Sequence, residues 1–379
     1  MRVLFVNRML SIERGGGETF DLEMARHLQN LDCSVSFLSG YPLFSGAKIS
    51  DAQSQSQSPN HYIRSPYYGW FPWDKVKGGW RLRLFDFWFF EQFSARWAKR
   101  QKHQFDVVHV CELPTFVHLW KRWKMAVPVV MRLTAGNFYD TMGAIPKADG
   151  VIASGMTIPQ LQQGLRPDVV DVPNAVDSSF FFPHKSSFRS VYGLSENDWV
   201  LLYVARFQAF KNHAFLLNVF RRVLAAKSNA RLVLVGNGPL LERTKMQARD
   251  LGVAHRISFL GEVPYGQLPA VYAGADVKVI TSTFESFCFA ALEAMSSELP
   301  VVTTDCGWVP RLIENQGGWI VPQDQPEAFF KALMALAEEP AAAKKMGQWN
   351  RRRVMSDFQW AASAVKLVDL YRSLTVKRS

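Results

Sequence analysis

The chain has 379 residues, 48% of them apolar, with a formal net charge of +11. At about 150 residues per domain that length suggests two domains, and the apolar content is ample for two cores. The four cysteines (Cys33, Cys111, Cys288, Cys306) are scattered and form no CxxC pair, which suggests no zinc or disulfide framework and fits a reducing compartment.

The positive charge favours anionic partners, namely nucleotide diphosphates, an acidic membrane or nucleic acid, and does not choose among them. Residues 1–183 hold 20 Lys and Arg against 16 Asp and Glu, so the excess is spread over both halves and is not a basic tail. The opening MRVLFVN is too short an apolar run for a signal peptide, and no stretch approaches 18 consecutive apolar residues. A cytoplasmic protein is expected.

Residues 3–7 read as a first strand, followed by a loop with Gly15, Gly16, Gly17 and Glu18, a helix through Leu31, and a second strand over 33–40. Doubly wound α/β proteins open in this way. Glycines at the carboxyl end of a first strand let the backbone approach a phosphate or sugar, because no Cβ intervenes; alone, the triplet is equally a turn. Residues 45–60, rich in Ser, Gln and Gly, read as a surface loop.

Residues 67–97 hold 13 of the 50 aromatic residues, interleaved with Lys75, Lys77, Arg81 and Arg83. On a helix, Leu82, Phe85, Phe89, Phe93 and Trp97 share one face, followed by Arg96, Lys99, Arg100 and Lys102. Basic and aromatic residues together suit a helix lying in a membrane interface; the other reading is a core helix packed on the sheet. Residues 105–112 and 127–140 read as the next strands with their loops, His109 lying inside the first as a structural residue or a site residue. Arg132, Asn137 and Asp140 are polar residues of the second of these stretches. Residues 148–155 read as a further strand.

In the second half, LLYVARFQAFKNH (201–213) is a strand running into a loop with Arg206 and Lys211 five apart. RLVLVGNGPL (231–240) is a strand ending in a turn at Gly236 and Gly238, and RISFLGEVP (256–264) another strand ending in glycine. DVKVIT (276–281) is a β-branched run of the kind that makes a buried strand, and it leads into FESFCFAALEAM (284–295), where Glu285 and Glu293 stand eight apart. Glu285 is expected in the strand-to-helix turn and Glu293 about two turns into the helix, a span of at most about 12 Å. Between them the helix N-terminus offers backbone N–H groups and a positive dipole end to a diphosphate. Taken alone, the pair could also be an ordinary solvent-facing feature.

The order of strand, basic loop, helix, strand-GNGP, helix, strand-LGEV, helix and strand-ESFCFAALE resembles the C-terminal half of the family 4 retaining glycosyltransferases of GT-B fold. The resemblance covers nearly the whole chain and is densest over 172–322. It implies an α/β fold of two Rossmann-like doubly wound parallel-sheet domains facing a central cleft. An acceptor domain would span 1–183, a nucleotide-sugar donor domain 184–357, and a helix over 358–379 would cross back to the first domain.

It further implies Arg206 and Lys211 as catalytic cations on the leaving diphosphate, Glu285 on the sugar hydroxyls and Glu293 on the ribose. Backbone around Phe287, Cys288 and Phe289 would meet the phosphates, with Gly16, Gly17, Gly236 and Gly238 as donor neighbours. On the acceptor side, Thr134 stands where many relatives have a histidine, beside His109, Arg132 and Asn137; Cys288 and Trp308 stand where glycine is commoner. The reaction implied is retaining transfer of a sugar from a nucleotide-diphosphate sugar, with no cofactor and no metal. The acceptor would be a lipid-linked or cell-surface glycan intermediate, met by a peripheral protein on the inner membrane face through residues 67–102. The rivals are a soluble transferase with a small-molecule acceptor and, from another class, a nucleic-acid-binding protein, for which no motif is present.

Overall fold

The computed structural model describes residues 1–11, 15–42, 58–65, 79–134, 143–155 and 157–376. The chain divides into two compact units, one of residues 1–174 with 360–379 and one of residues 175–359. Each is built on a parallel sheet. Parallel strands buried on both faces read as continuous apolar runs, and RVLFVN and WVLLYV, the central strands, are of this kind.

In the first unit the strands are β1 (Arg2–Asn7), β2 (Ser34–Pro42), β3 (Asn60–Ser65), β4 (Val107–Cys111), β5 (Val129–Arg132), β6 (Gly150–Ala153) and the short β7 (Val170–Asp171). Their order is 3-2-1-4-5-6-7, all parallel. The helices between them are α1 (Gly16–Gln29), α2 (Gly79–Arg100), α3 (Pro114–Arg122) and α4 (Thr157–Gln160). The second unit has β8 (Trp199–Val204), β9 (Ala230–Val235), β10 (Ile257–Gly261), β11 (Val277–Ile280), β12 (Val301–Thr304) and β13 (Gly318–Val321), ordered 10-9-8-11-12-13 and again all parallel. Its helices are α5 (Phe188–Val191), α6 (His213–Ala226), α7 (Leu241–Asp250), α8 (Leu268–Ala273), α9 (Phe289–Ser296), α10 (Val309–Ile313), α11 (Pro326–Glu338) and α12 (Pro340–Asp357). In both sheets the strand order reverses beside the first strand, between β1 and β4 and between β8 and β11, and ligands of open α/β sheets bind outside the carboxyl ends of strands at such a point.

The units divide after Asn174 and after Gln359, where the sequence expectation placed the divisions after Pro183 and Asp357. Packing gives the reason. Phe181 is fully buried in the second core, the Val176 N–H donates to the Phe358 carbonyl at 3.1 Å, and Arg351 donates to the carbonyls of Phe181 and Ser296. The last helix, α13 (Trp360–Val376), belongs to the first unit, where Trp360 meets Phe20 of α1 edge-on at 5.7 Å and Ser363 Oγ donates to the Pro173 carbonyl.

Helix α2 turns its aromatic stripe the other way from a core helix. Among its described side chains it buries Asp86, Phe90, Glu91, Gln92, Ser94, Ala95 and Ala98 and packs Trp97 against the core, while Leu84, Phe85, Trp88 and Phe93 are exposed, Trp88 at 48%. Phe85, Phe89 and Phe93 run along the helix as neighbouring rings, with Trp88 against Phe85. Ala95 and Ala98 lie in the core of the first unit. Its two buried acids are paired: Asp86 with Arg8 from the end of β1, and Glu91 with the Phe116 N–H at the start of α3. Burial pushes the Glu91 carboxyl up to about 7. Of residues 67–102, those numbered 67–78 lie outside the described residues.

Candidate active site

Within the second unit, the switch-point rule leads to the carboxyl ends of β8 and β11. The chain leaves β8 through Arg206 and Phe207 to a short turn at Ala209–Lys211, and leaves β11 through Thr281 and Ser282 to Glu285. These two loops meet. Lys211 Nζ lies 2.6 Å from Glu285 Oε1, which also accepts from Ser282 Oγ at 2.7 Å. The Tyr203 hydroxyl, under the loop, donates to the Lys211 carbonyl at 2.7 Å and shares a hydrogen bond with Ser282 Oγ at 3.1 Å. Thr281 Oγ1 donates to the Lys211 carbonyl, and Thr304 Oγ1 to the Ser282 carbonyl. Glu285 is 7% exposed, and its Oε2 accepts no hydrogen bond among the described residues. The pair therefore comes with its geometry fixed from below and one carboxylate oxygen unused.

A third loop closes on Glu285 from β12. Gly307 has φ +57, and a Cβ there would fall 1.6 Å from the Glu285 carbonyl oxygen, which accepts the Trp308 N–H at 3.1 Å. Only glycine allows this approach. Gly236 and Gly238 act in the same way one strand over. Their φ values are +131 and +151, and a Cβ would meet the Ala205 carbonyl oxygen at 2.1 Å or the Phe207 backbone at 2.7 Å. They let the turn after β9 pack against the loop carrying Arg206. That loop is held by Phe207 N–H to the Asn237 carbonyl and Leu240 N–H to the Phe207 carbonyl. Arg206 itself is exposed.

The helix begins later than the sequence suggests. Cys288, the N-cap of α9, has φ +76, a left-handed value that costs a non-glycine residue of order 1 kcal/mol. This turn delays the first helical residue to Phe289, so Glu293 lies little more than one turn into the helix and not two. Glu293 Oε2 accepts from the Tyr272 hydroxyl at 2.6 Å. Burial pushes the Cys288 thiol far up, so its part here is main chain. Phe287 is a core residue, 4% exposed. At the mouth of the β8 loop, His213 stacks on Phe207 at 4.1 Å and lies tilted against Tyr203 at 5.0 Å; burial, then the nearby Lys211, pushes it down to about 4.

In the first unit, Gly16 and Gly17 form the first turn of α1, with the Glu18 carboxylate accepting the Gly15 N–H at 3.0 Å. Arg132 is not available to an acceptor. Its guanidinium donates to the Gly17 carbonyl and the Cys111 sulfur, pairs with Asp21 at 3.0 Å and stacks on Phe20. Burial raises the Asp21 carboxyl to about 6 against the pull of Arg132 and Asn7. His109 is likewise a core residue and lines no open site: it is 1% exposed, stacked on Phe5 at 4.5 Å and bonded to the Tyr371 hydroxyl at 2.5 Å. Thr134 gives both its N–H and its hydroxyl to Glu112 Oε1, at 2.7 and 2.6 Å. Asn137 and Asp140 lie outside the described residues. No group of three or more His, Cys, Asp or Glu is gathered for a metal among the described residues.

Sequence reasoning missed Tyr203, Ser282, Tyr272 and Gly307. Ser282, three residues before Glu285, carried a readable spacing; the two tyrosines lie 82 and 21 residues from the carboxylates they serve and carried none.

Residues 184–353 match the family model described as glycosyl transferases group 1. By structure, the chain is similar to sucrose-phosphate synthase from Thermosynechococcus elongatus, with a TM-score of 0.81 over 99% of both chains at 18% identity. It is also similar to Anabaena HepE, solved in complex with UDP and glucose, with a TM-score of 0.77 over 98% of this chain and 100% of that one at 18% identity. The fold is GT-B. By sequence, the GT-B chain is 32% identical over 214 residues to a D-inositol 3-phosphate glycosyltransferase of Segniliparus rotundus, 55% of this chain and 47% of that protein. It spans about half the length of the first curated relatives it matches.

Proposed function

We propose that this protein is a retaining glycosyltransferase that moves a sugar from a nucleotide-diphosphate sugar to an acceptor. The observation that carries the reading is the Lys211–Glu285 pair at 2.6 Å, held at the switch point beside the N-terminus of α9. Departure of the nucleoside diphosphate builds negative charge on the β-phosphate oxygen, and a cation already fixed where that charge develops stabilises it without reorganisation. Lys211 is that cation, Arg206 the second. Glu285 accepts hydrogen bonds from the sugar hydroxyls, Glu293 from the ribose, and the N–H groups around Phe287 and Cys288 meet the phosphates. The bond from the anomeric carbon to the phosphate oxygen breaks with its electron pair going to that oxygen. The acceptor hydroxyl attacks on the same face, and its proton passes to the leaving phosphate. The two cations take the neutralising role a metal would otherwise fill, so EDTA is expected to leave turnover unchanged.

The test is binding and slow hydrolysis of a panel of nucleotide sugars by the wild type, Lys211→Ala and Glu285→Ala. One donor bound and cleaved, with cleavage collapsing in both variants, supports the reading; no nucleotide sugar bound at millimolar concentration ends it.

The acceptor we infer is a lipid-linked glycan at an anionic membrane surface. The support is the outward aromatic face of α2, ending in exposed Arg96, Lys99 and Arg100. No helix among the described residues is long and apolar enough to cross a membrane, so contact would be interfacial. Flotation with anionic vesicles at low salt, lost in Trp88→Ser with Phe93→Ser, is the expected result. A wild type that stays in solution favours the small-molecule acceptor.

A further inference from the structure

Strand β11 reads VKVI and all four residues are buried, Lys278 completely. Its Nζ has no hydrogen-bond partner among the described residues. An ammonium taken from water costs several kcal/mol unless it is paired and hydrogen-bonded, and a methionine would fill this position at lower cost. What surrounds the charge is specific. Nζ lies 5.4 Å from the ring centre of Tyr203 and 5.8 Å from that of Tyr272, between two aromatic faces. Those two rings carry the hydroxyls that hold the two site carboxylates. Tyr203 bonds the Lys211 carbonyl and Ser282, which donates to Glu285; Tyr272 donates to Glu293.

Building on the nucleotide-sugar reading, we propose that Lys278 is a positioning residue: its buried ammonium, held between Tyr203 and Tyr272, braces Glu285 and Glu293 together as one nucleotide-sugar grip. The ring faces favour the cation, and the cation in turn offsets the cost of gathering two carboxylates in a dry site. The titratable and charged groups around Lys278 are Tyr203 from β8, Tyr272 from α8, Cys288 and Glu293 at and within α9, and Glu285 and Lys211 from the two loops. Burial, with Lys211 adding to it, pushes Lys278 down to about 8, against the pull of Cys288, Glu293 and Glu285. The ammonium therefore gives up its proton more readily than an exposed lysine as pH rises.

The experiment measures UDP, GDP and inorganic pyrophosphate binding by calorimetry at pH 7.0 and 8.5, on wild type, Lys278→Met and Tyr272→Phe, with melting temperatures alongside. In Lys278→Met we expect a melting temperature at or above that of the wild type at pH 7.0, with nucleoside-diphosphate affinity at least tenfold weaker. Wild-type affinity should drop several-fold at pH 8.5 while that of Lys278→Met stays flat. Tyr272→Phe keeps the cation between its rings and deletes one hydroxyl, so it should weaken nucleotide binding and leave pyrophosphate binding unchanged. If Lys278→Met does not fold, a wild-type affinity that stays flat from pH 7.0 to 8.5 overturns the proposal instead. Equal nucleotide affinity and equal pH dependence in wild type and Lys278→Met, or unchanged nucleotide binding in Tyr272→Phe, overturns the proposal while leaving the nucleotide-sugar reading intact. A wild type that binds neither nucleotide overturns that reading, and the brace falls with it.

Discussion

The two sheets share one strand order, and each gathers polar residues at the carboxyl end of its central strand, yet they use them oppositely. In the first unit, Asn7, Asp21 and Arg132 are buried; Asn7 donates to Asp21 and accepts the Met9 N–H, while Arg132 pairs with Asp21 and donates to the Cys111 sulfur and to the Gly17 carbonyl at the start of α1. In the second, Tyr203, Thr281, Ser282 and Thr304 spend their hydrogen bonds on the backbone and on Glu285, whose carboxylate holds the Lys211 ammonium and keeps one oxygen without a hydrogen bond among the described residues. A closed network sets the position of a helix; an open one sets the position of a reagent. The Rossmann frame supplies the place in both cases, and the residue types decide which use is made of it.

Breaking the closed network has the largest expected effect, and that effect is on stability. Arg132→Ala leaves Asp21 buried and unpaired, a loss of about 3–5 kcal/mol, read as a drop in the urea midpoint of the first unit. An unchanged midpoint would mean water reaches Asp21. Breaking the open network should do the reverse. Lys211→Ala is expected to lower turnover by about 10²–10³-fold, the scale for removing one group that stabilises developing negative charge, with a smaller stability loss than Arg132→Ala because Ser282 still donates to Glu285. A Lys211→Ala protein that unfolds while the few folded molecules turn over normally would erase the distinction between the two networks.

What the sequence disclosed follows this division. The parallel sheets and their glycine turns were legible, because each depends on residue types close together in the chain; Lys211 and Glu285, which the structure brings to 2.6 Å, were given their roles only through the family resemblance. What stayed hidden depends on contacts across the sheet. Arg132 and His109 looked like site candidates, since a polar residue on a strand reads the same whether it faces a ligand or Asp21 and Tyr371. The α2 stripe was visible as a stripe, but its direction was set by Ala95, Ala98 and the buried Asp86–Arg8 pair on the opposite face. Glu293 was placed a turn too deep because the left-handed Cys288, which delays the helix, carries no cue in its residue type.

A smaller effect sharpens the comparison from inside the open network. Ser282→Ala removes a neutral donor to a carboxylate, worth about 1.5–3 kcal/mol. Since Lys211 still holds Glu285, the loss should appear as a roughly tenfold to hundredfold fall in kcat/KM, with little change in stability. A stability loss with normal kinetics would instead place Ser282 with the scaffold.

The smallest effect concerns His213, where the open network meets its own core. Burial holds its folded-state value near 4 against an ordinary 6.5, so between those values the unfolded chain binds more protons than the folded one. Its contribution is therefore complete above about pH 6.5 and is lost as pH falls toward 4. Between pH 6 and 5 this amounts to about 1 kcal/mol. His213→Phe, which keeps a ring against Phe207 and Tyr203, should flatten the urea midpoint over that interval by the same amount. If wild type and variant lose stability equally between pH 6 and 5, His213 is taking up its proton no differently folded than unfolded. Water would then reach the ring that lies against Phe207 and Tyr203, and the floor beneath Lys211 would be wet, leaving charge stabilisation at that loop weaker than a desolvated site provides.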